Sequence, residues 1–186
     1  MIVRRFLLDV NEANAFIVAC EETRDALLVD AGDFSPAVAE FVSAHSLNLS
    51  QVFITHDHYD HVDGLAPVVA RYGARVFAGR SAVGGCDATK VSQGATVRVG
   101  NLVGNVCETP GHTPDGLSLV FPGHAFTGDA LFAGSVGGTS SSENAKRQLD
   151  AIRKHIFTLP PDTMIHTGHG PSSTVAIESR FNPFFV

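Results

Sequence analysis

The chain reads as an α/β protein, and three observations carry that reading. Up to about residue 80, short apolar runs rich in β-branched and aromatic residues alternate with segments of helical rhythm. From residue 95 onward the pattern changes to closely spaced short strands joined by turns that contain glycine or proline. Within the first part lies Thr55-His56-Asp57-His58-Tyr59-Asp60-His61, placed where a strand opens into a loop.

Taken in order, the basic-then-apolar start Met1–Leu8 gives way at once to the polar stretch Asp9–Glu12, so a strand fits it better than a signal segment. Residues 13–19 and 26–30 read as strands around a turn at 21–25. Ser35 can cap a helix with Pro36 in its first turn and Val38, Phe41 and Val42 on its inner stripe. A strand over 51–54 follows, then one helix from about Asp60 to Tyr72, then a strand over 75–78. Strands are expected at 96–99, 102–107, 117–121 and 124–126, with Phe121-Pro122-Gly123-His124 as a hairpin connection. Ser140 and Glu143 have capping-box spacing ahead of a helix that puts Ala145, Leu149, Ile152 and Ile156 on one face. Pro160 and Pro161 end that segment, and 163–166 is a last strand. With no linker, repeat or low-complexity block, residues 1–186 are expected to form a single domain.

Composition narrows the function classes. A formal charge of −6 argues against a nucleic-acid surface, and no apolar run approaches a membrane span. Cys20, Cys86 and Cys107 are odd in number and lack a CxxC pair, which suits reduced thiols in a cytoplasmic protein.

The His-Asp cluster is the chemical signal. His56 and His58, two apart, can face the same side, and neutral imidazoles with a carboxylate are ligands for zinc and similar divalent metals. Three later loops share one design, a ligand-type residue beside glycine: Pro110-Gly111-His112, Thr127-Gly128-Asp129 and Thr167-Gly168-His169-Gly170. A histidine in one such loop is more often a surface residue, but the first cluster makes convergence on a metal the stronger reading. Asp30, Thr55 and Asp57 are candidates to orient ligating histidines from behind, Asp30 first among them, with a turn-capping role the alternative for Asp30 and a solvated loop carboxylate the alternative for Asp57. Tyr59 is either an entrance residue or packing. His45, His124, His155 and His166 are left outside the site.

The ordered set His56-x-His58-x-Asp60-His61, His112, Asp129 and His169 resembles the metallo-β-lactamase superfamily. The resemblance implies a four-layer αβ/βα sandwich with its metals at one edge. It implies a first ion on His56, His58 and His112, a second on Asp60, His61 and His169, and Asp129 bridging both. An aspartate at 129 is similar to the glyoxalase II (hydroxyacylglutathione hydrolase) branch, as are Gly128–Ser135, Ile156–Pro160, Gly168–Pro171 and Asn182-Pro183-Phe184. That branch carries a further C-terminal helical domain, which this chain is expected to lack. At Val136-Gly137-Gly138-Thr139 the chain offers no charge where the branch often has a lysine or arginine for glutathione.

The expected function is therefore a hydrolase of a small-molecule acyl thioester, using two divalent ions, zinc first and iron or manganese next. Asp60 would orient the attacking water as well as bind metal. No Gly-x-Ser-x-Gly elbow competes with this reading. Two alternatives stand beside it. One is a mononuclear-iron persulfide dioxygenase on the equivalents of His56, His112 and Asp129, and the other a non-catalytic metal-binding domain.

Overall fold

The computed structural model describes residues 1–186. The elements run β1 (Ile2–Leu7), β2 (Asn14–Ala19), β3 (Asp25–Val29), α1 (Pro36–Ala44), β4 (Asn48–Phe53), α2 (Tyr59–Val62), α3 (Leu65–Tyr72) and β5 (Arg75–Ala78). Three two-residue strands follow, β6 (Ala82–Val83), β7 (Cys86–Asp87) and β8 (Thr89–Lys90). Next come β9 (Thr96–Val99), β10 (Leu102–Glu108), β11 (Leu117–Phe121), β12 (His124–Gly128), α4 (Ser142–His155), β13 (Met164–Thr167), β14 (Ser173–Thr174) and α5 (Val175–Phe181).

Two six-stranded sheets form, in the orders β1-β2-β3-β4-β5-β8 and β14-β13-β12-β11-β10-β9. In the first, β1, β2 and β3 are antiparallel, and β3 to β8 are parallel. In the second, β12 and β13 are the one parallel pair. The inner faces meet in an apolar layer of Phe16, Val18, Leu27, Val29 and Phe53 against Val106, Leu119, Phe121 and Phe126. The outer face of the first sheet is covered by α1 and α3 through Val38, Val42, Leu65 and Val68. That of the second is covered by α4 and α5 through Ile152 and Val175. Helix, sheet, sheet and helix make four layers. Strand β2, enclosed on both faces, has every residue buried. No helix is long and apolar enough to cross a membrane.

Three expectations need correction. The single helix expected over 60–72 is two, because the chain breaks at Asp63-Gly64. Gly64 presses on the backbone of Asp33, where a Cβ would lie 2.3 Å from the Asp33 carbonyl carbon, and its N–H donates to the Ala31 carbonyl at 2.8 Å. That contact turns α2 away from α3 and leaves α2 short at the head of the His-Asp cluster. Secondly, α4 is capped one residue later than expected. The Ser141 hydroxyl accepts from the Asn144 N–H, so Ser140 and Glu143 do not form the box. Thirdly, Gln148 lies fully buried on α4, while Ala145 and Leu149 are only partly covered. The remaining expected strands are present within one to three residues, and Ser35 caps α1 by accepting from the Ala37 N–H. The small strands β6, β7, β8 and β14 and the helix α5 were not read from the pattern.

Candidate metal centre

The candidate ligands stand on loops and on the short helix α2, at one edge of the two sheets. His56 and His58 follow β4, Asp60 and His61 are in α2, His112 follows β10, Asp129 follows β12 and His169 follows β13. The structure brings all seven together. His58 Nδ1 lies 3.1 Å from His56 Nε2 and 3.0 Å from His112 Nε2. On the other side His169 Nε2 lies 3.4 Å from Asp60 Oδ2. Asp129 stands between. One of its oxygens, Oδ2, is 3.5 Å from His112 Nε2, 3.6 Å from His169 Nε2 and 3.9 Å from His56 Nε2. The other, Oδ1, is 3.4 Å from His61 Nε2.

These atoms fall into three overlapping groups, each with its ligand atoms within 4.8 Å of one another: His56–His58–His112, His56–His61–Asp129 and Asp60–His61–His169. The donor chemistry fits cations. Neutral imidazoles have one N–H each, so several ring nitrogens crowded at 3 Å cannot all be donor to one another. His61 Nε2 and Asp129 Oδ1 are buried and have no hydrogen-bond partner, an arrangement that costs free energy unless an ion satisfies it. Gly168 keeps the space open, since a Cβ there would come within 2.0 Å of Asp129 Oδ1.

Electrostatics follow from the packing. Burial pushes the His56 imidazole down to about 2, and neighbouring His61 adds to the effect. His61 is also desolvated, which alone would lower it, but the Asp30 and Asp129 carboxylates outweigh burial and raise it to about 10. Burial would raise Asp129, yet the histidines around it, His61 first, hold it down at about 2.

Behind the ligands, Asp30 ends β3 in the left-handed region, at φ 59°. Its Oδ1 accepts the Thr55 N–H at 2.8 Å, and its Oδ2 accepts the Thr55 hydroxyl at 2.8 Å and faces His61 Nδ1 at 3.0 Å. The Thr55 hydroxyl in turn lies 3.0 Å from His56 Nδ1. Asp57 points elsewhere, pairing with Arg80 at 2.9 Å. His124 and His166 lie apart from the centre and hydrogen-bond each other at 2.9 Å, and His45 stacks on Phe41 at the end of α1.

Several site-shaping residues escaped the sequence reading. Gly138 offers its carbonyl to His112 Nδ1 at 2.6 Å. Buried Gln148 donates to the carbonyls of Ala130 and Gly137, at 2.9 and 3.0 Å. Buried Glu178 accepts the Gly134 N–H at 2.9 Å, and Asn182 donates to Ser135 at 3.0 Å. Side chains from α4 and the α5 end thus grip the 134–138 loop that orients His112. Asn14 does the same for His169, donating to the Thr167 and Gly170 carbonyls at 2.9 Å. Only a polar residue at an inward helix or strand position could have signalled Gln148 and Asn14.

Two facing sheets with metal-ligand loops at one edge define a class of metal-site α/β sandwiches. Residues 8–84 match the model of the metallo-beta-lactamase superfamily. A hydroxyacylglutathione hydrolase of a Bradyrhizobium species is 38% identical over 147 residues, covering 76% of this chain and 56% of that protein. Among solved structures, ETHE1 from Myxococcus xanthus is 32% identical with a TM-score of 0.87, over 98% of this chain and 84% of the other. The protein TTHA1623, solved in a di-iron-bound form, is 27% identical with a TM-score of 0.82, over 98% and 100%. The chain belongs to the metallo-beta-lactamase superfamily. It spans a little over half the length of the curated relative.

Proposed function

We propose that the protein is a binuclear-metal hydrolase of small acyl thioesters, of the hydroxyacylglutathione hydrolase type. The observation that carries this reading is Asp129, whose Oδ1 faces His61 and whose Oδ2 faces His169 as well as His56 and His112, so that the one carboxylate reaches ligands of both groups. A carboxylate so placed suits two cations sharing one bridge. His56, His58 and His112 would hold the first, and Asp60, His61 and His169 the second. The relatives named hydroxyacylglutathione hydrolase support the substrate class.

When bound, two divalent ions, zinc first and iron or manganese next, supply Lewis acidity and a water acidic enough to react near neutral pH. Asp60, buried and held by Asn11, would orient that water toward the thioester carbonyl. Thr55 and Asp30 hold His56 and His61 in place from behind. The C–O bond would form by addition to the carbonyl, the C–S bond would then break, and the proton released by the water would pass to the leaving thiolate, giving a carboxylic acid and a thiol. The glycine-rich 136–139 loop brings no cation to the site, so recognition rests on the acyl thioester more than on an anionic thiol carrier.

A second reading has one feature in its favour. His56, His112 and Asp129 alone form a 2-His-1-carboxylate group of the sort that holds one iron for oxygen chemistry. Metal quantification, paired with a panel of acyl thioesters, lactones and β-lactams, tests both. Two ions per chain with thioester turnover support the hydrolase. One iron per chain, with oxygen uptake on glutathione persulfide, replaces it with the dioxygenase.

A further inference from the structure

Beside the centre, the turn between β1 and β2 has an unusual build. Asn11 and Glu12 are consecutive non-glycine residues in the left-handed region, at φ 49° and 53°. Asparagine tolerates that conformation, and a glutamate there needs its surroundings to hold it. They do. The Leu8 N–H donates to the Ala13 carbonyl at 2.8 Å, Ala13 bridges to His169, and the Asn14 N–H donates to the Gly168 carbonyl at 2.7 Å. The turn is clamped to the loop that carries His169, and it delivers the Asn11 side chain to the centre.

There the Asn11 amide donates to Asp60 Oδ2 at 3.2 Å and to the hydroxyl of Tyr59, the largely exposed residue before it. Which end of the amide faces Asp60 follows from chemistry, because an ionised carboxylate only accepts hydrogen bonds. The same Asp60 oxygen faces His169. One amide therefore touches a ligand directly while its own turn is bonded to the strand end of another.

We propose that Asn11 is a positioning residue for the Asp60–His61–His169 side of the centre, setting the Asp60 carboxylate and with it the affinity for the second ion. This rests on the two-ion reading above. Outer partners of ligating carboxylates typically tune affinity by 10- to 100-fold.

The test is zinc binding by Asn11→Gly, measured by competition with a coloured chelator. Glycine keeps the left-handed turn and removes the side chain that carries the amide. The expected result is two zinc ions per chain in both proteins, with one of them bound about 10-fold less tightly in the variant. The affinity for the other ion and the unfolding temperature of the metal-free chain are unchanged. Equal affinities for the second ion in the two proteins would overturn the proposal. So would a parallel loss at both ions with a lower unfolding temperature, or a wild-type chain that takes up one zinc only. Thioester turnover is assayed separately. A wild type without any counts against the hydrolase, while a selective affinity loss still upholds the role of Asn11.

Discussion

Asp30 Oδ2 lies 3.0 Å from His61 Nδ1, with both groups buried and the His61 ring pointing its other nitrogen at Asp129. A carboxylate in that place fixes the tautomer, so that the far nitrogen is free to bind metal. Asp30→Asn keeps the shape and tolerates the left-handed backbone at φ 59°. Removing the charge is expected to weaken metal binding on the His61 side by roughly 10- to 100-fold. Chelator competition on the purified variant measures this, and wild-type affinity would refute it.

Metal removal should destabilise the fold as well as stop turnover. The ligands come from loops after β4, β10, β12 and β13, so ions that bind only the folded chain tie both sheets together. At a free-metal level about 100 times the dissociation constant, one ion adds about 2.7 kcal/mol. Thermal unfolding with and without a chelator checks it. Identical transitions would mean that no ion binds the native state.

The 134–138 loop offers a test of support at a distance. In Gln148→Leu the buried carbonyls of Ala130 and Gly137 lose their donor. The cost is expected to be about 1–3 kcal/mol per orphaned group. Because the next residue, Gly138, orients His112, affinity for the first ion should fall together with stability. Urea unfolding and metal affinity are the two measurements, and a loss confined to stability would exclude the orienting role.

His166 sets an acid limit that is independent of metal. Burial lowers its imidazole to about 4 from an ordinary 6.5, and nearby His124, itself lowered, adds to this. Since the folded value is depressed, stability is full above pH 6.5 and declines as pH falls toward 4. The drop from 6.5 to about 4 amounts to about 3 kcal/mol at most. Urea unfolding of the metal-free chain at pH 7 and pH 5 should show the decline in wild type and a smaller one in His166→Gln. Equal slopes would show that the ring is not buried in solution.

The strands and helices were legible because period and length carry the information, and their stacking in four layers was implied by the family resemblance. Val52, Phe53 and Ile54 are apolar in succession, as a strand buried on both faces must be, and Val38 with Val42 marks the inner side of a helix. The ligand-type residues were legible because few soluble loops concentrate imidazole and carboxylate as residues 56–61 do. What escaped were two-residue strands too short to show a period, and polar side chains whose partners are distant. Gln148 reads as an ordinary surface residue of a helix until the loop it holds is folded against it. Asn11 reads as a turn residue until residues 48 and 49 positions later stand beside it.

Local order along the chain determined the strands and their covering helices, since these depend on propensity and hydrophobic period, while the candidate ligand set came from the 56–61 cluster together with the family resemblance. Only the tertiary structure decided that Asp57 turns away to Arg80, that Gln148 and the Gly138 carbonyl set the loop beside His112, and that the α2–α3 break falls at Gly64. The physical reason is that hydrogen bonds and coordination act over about 3 Å, whatever the separation in sequence. Which distant groups come that close is settled when the sheets close face to face.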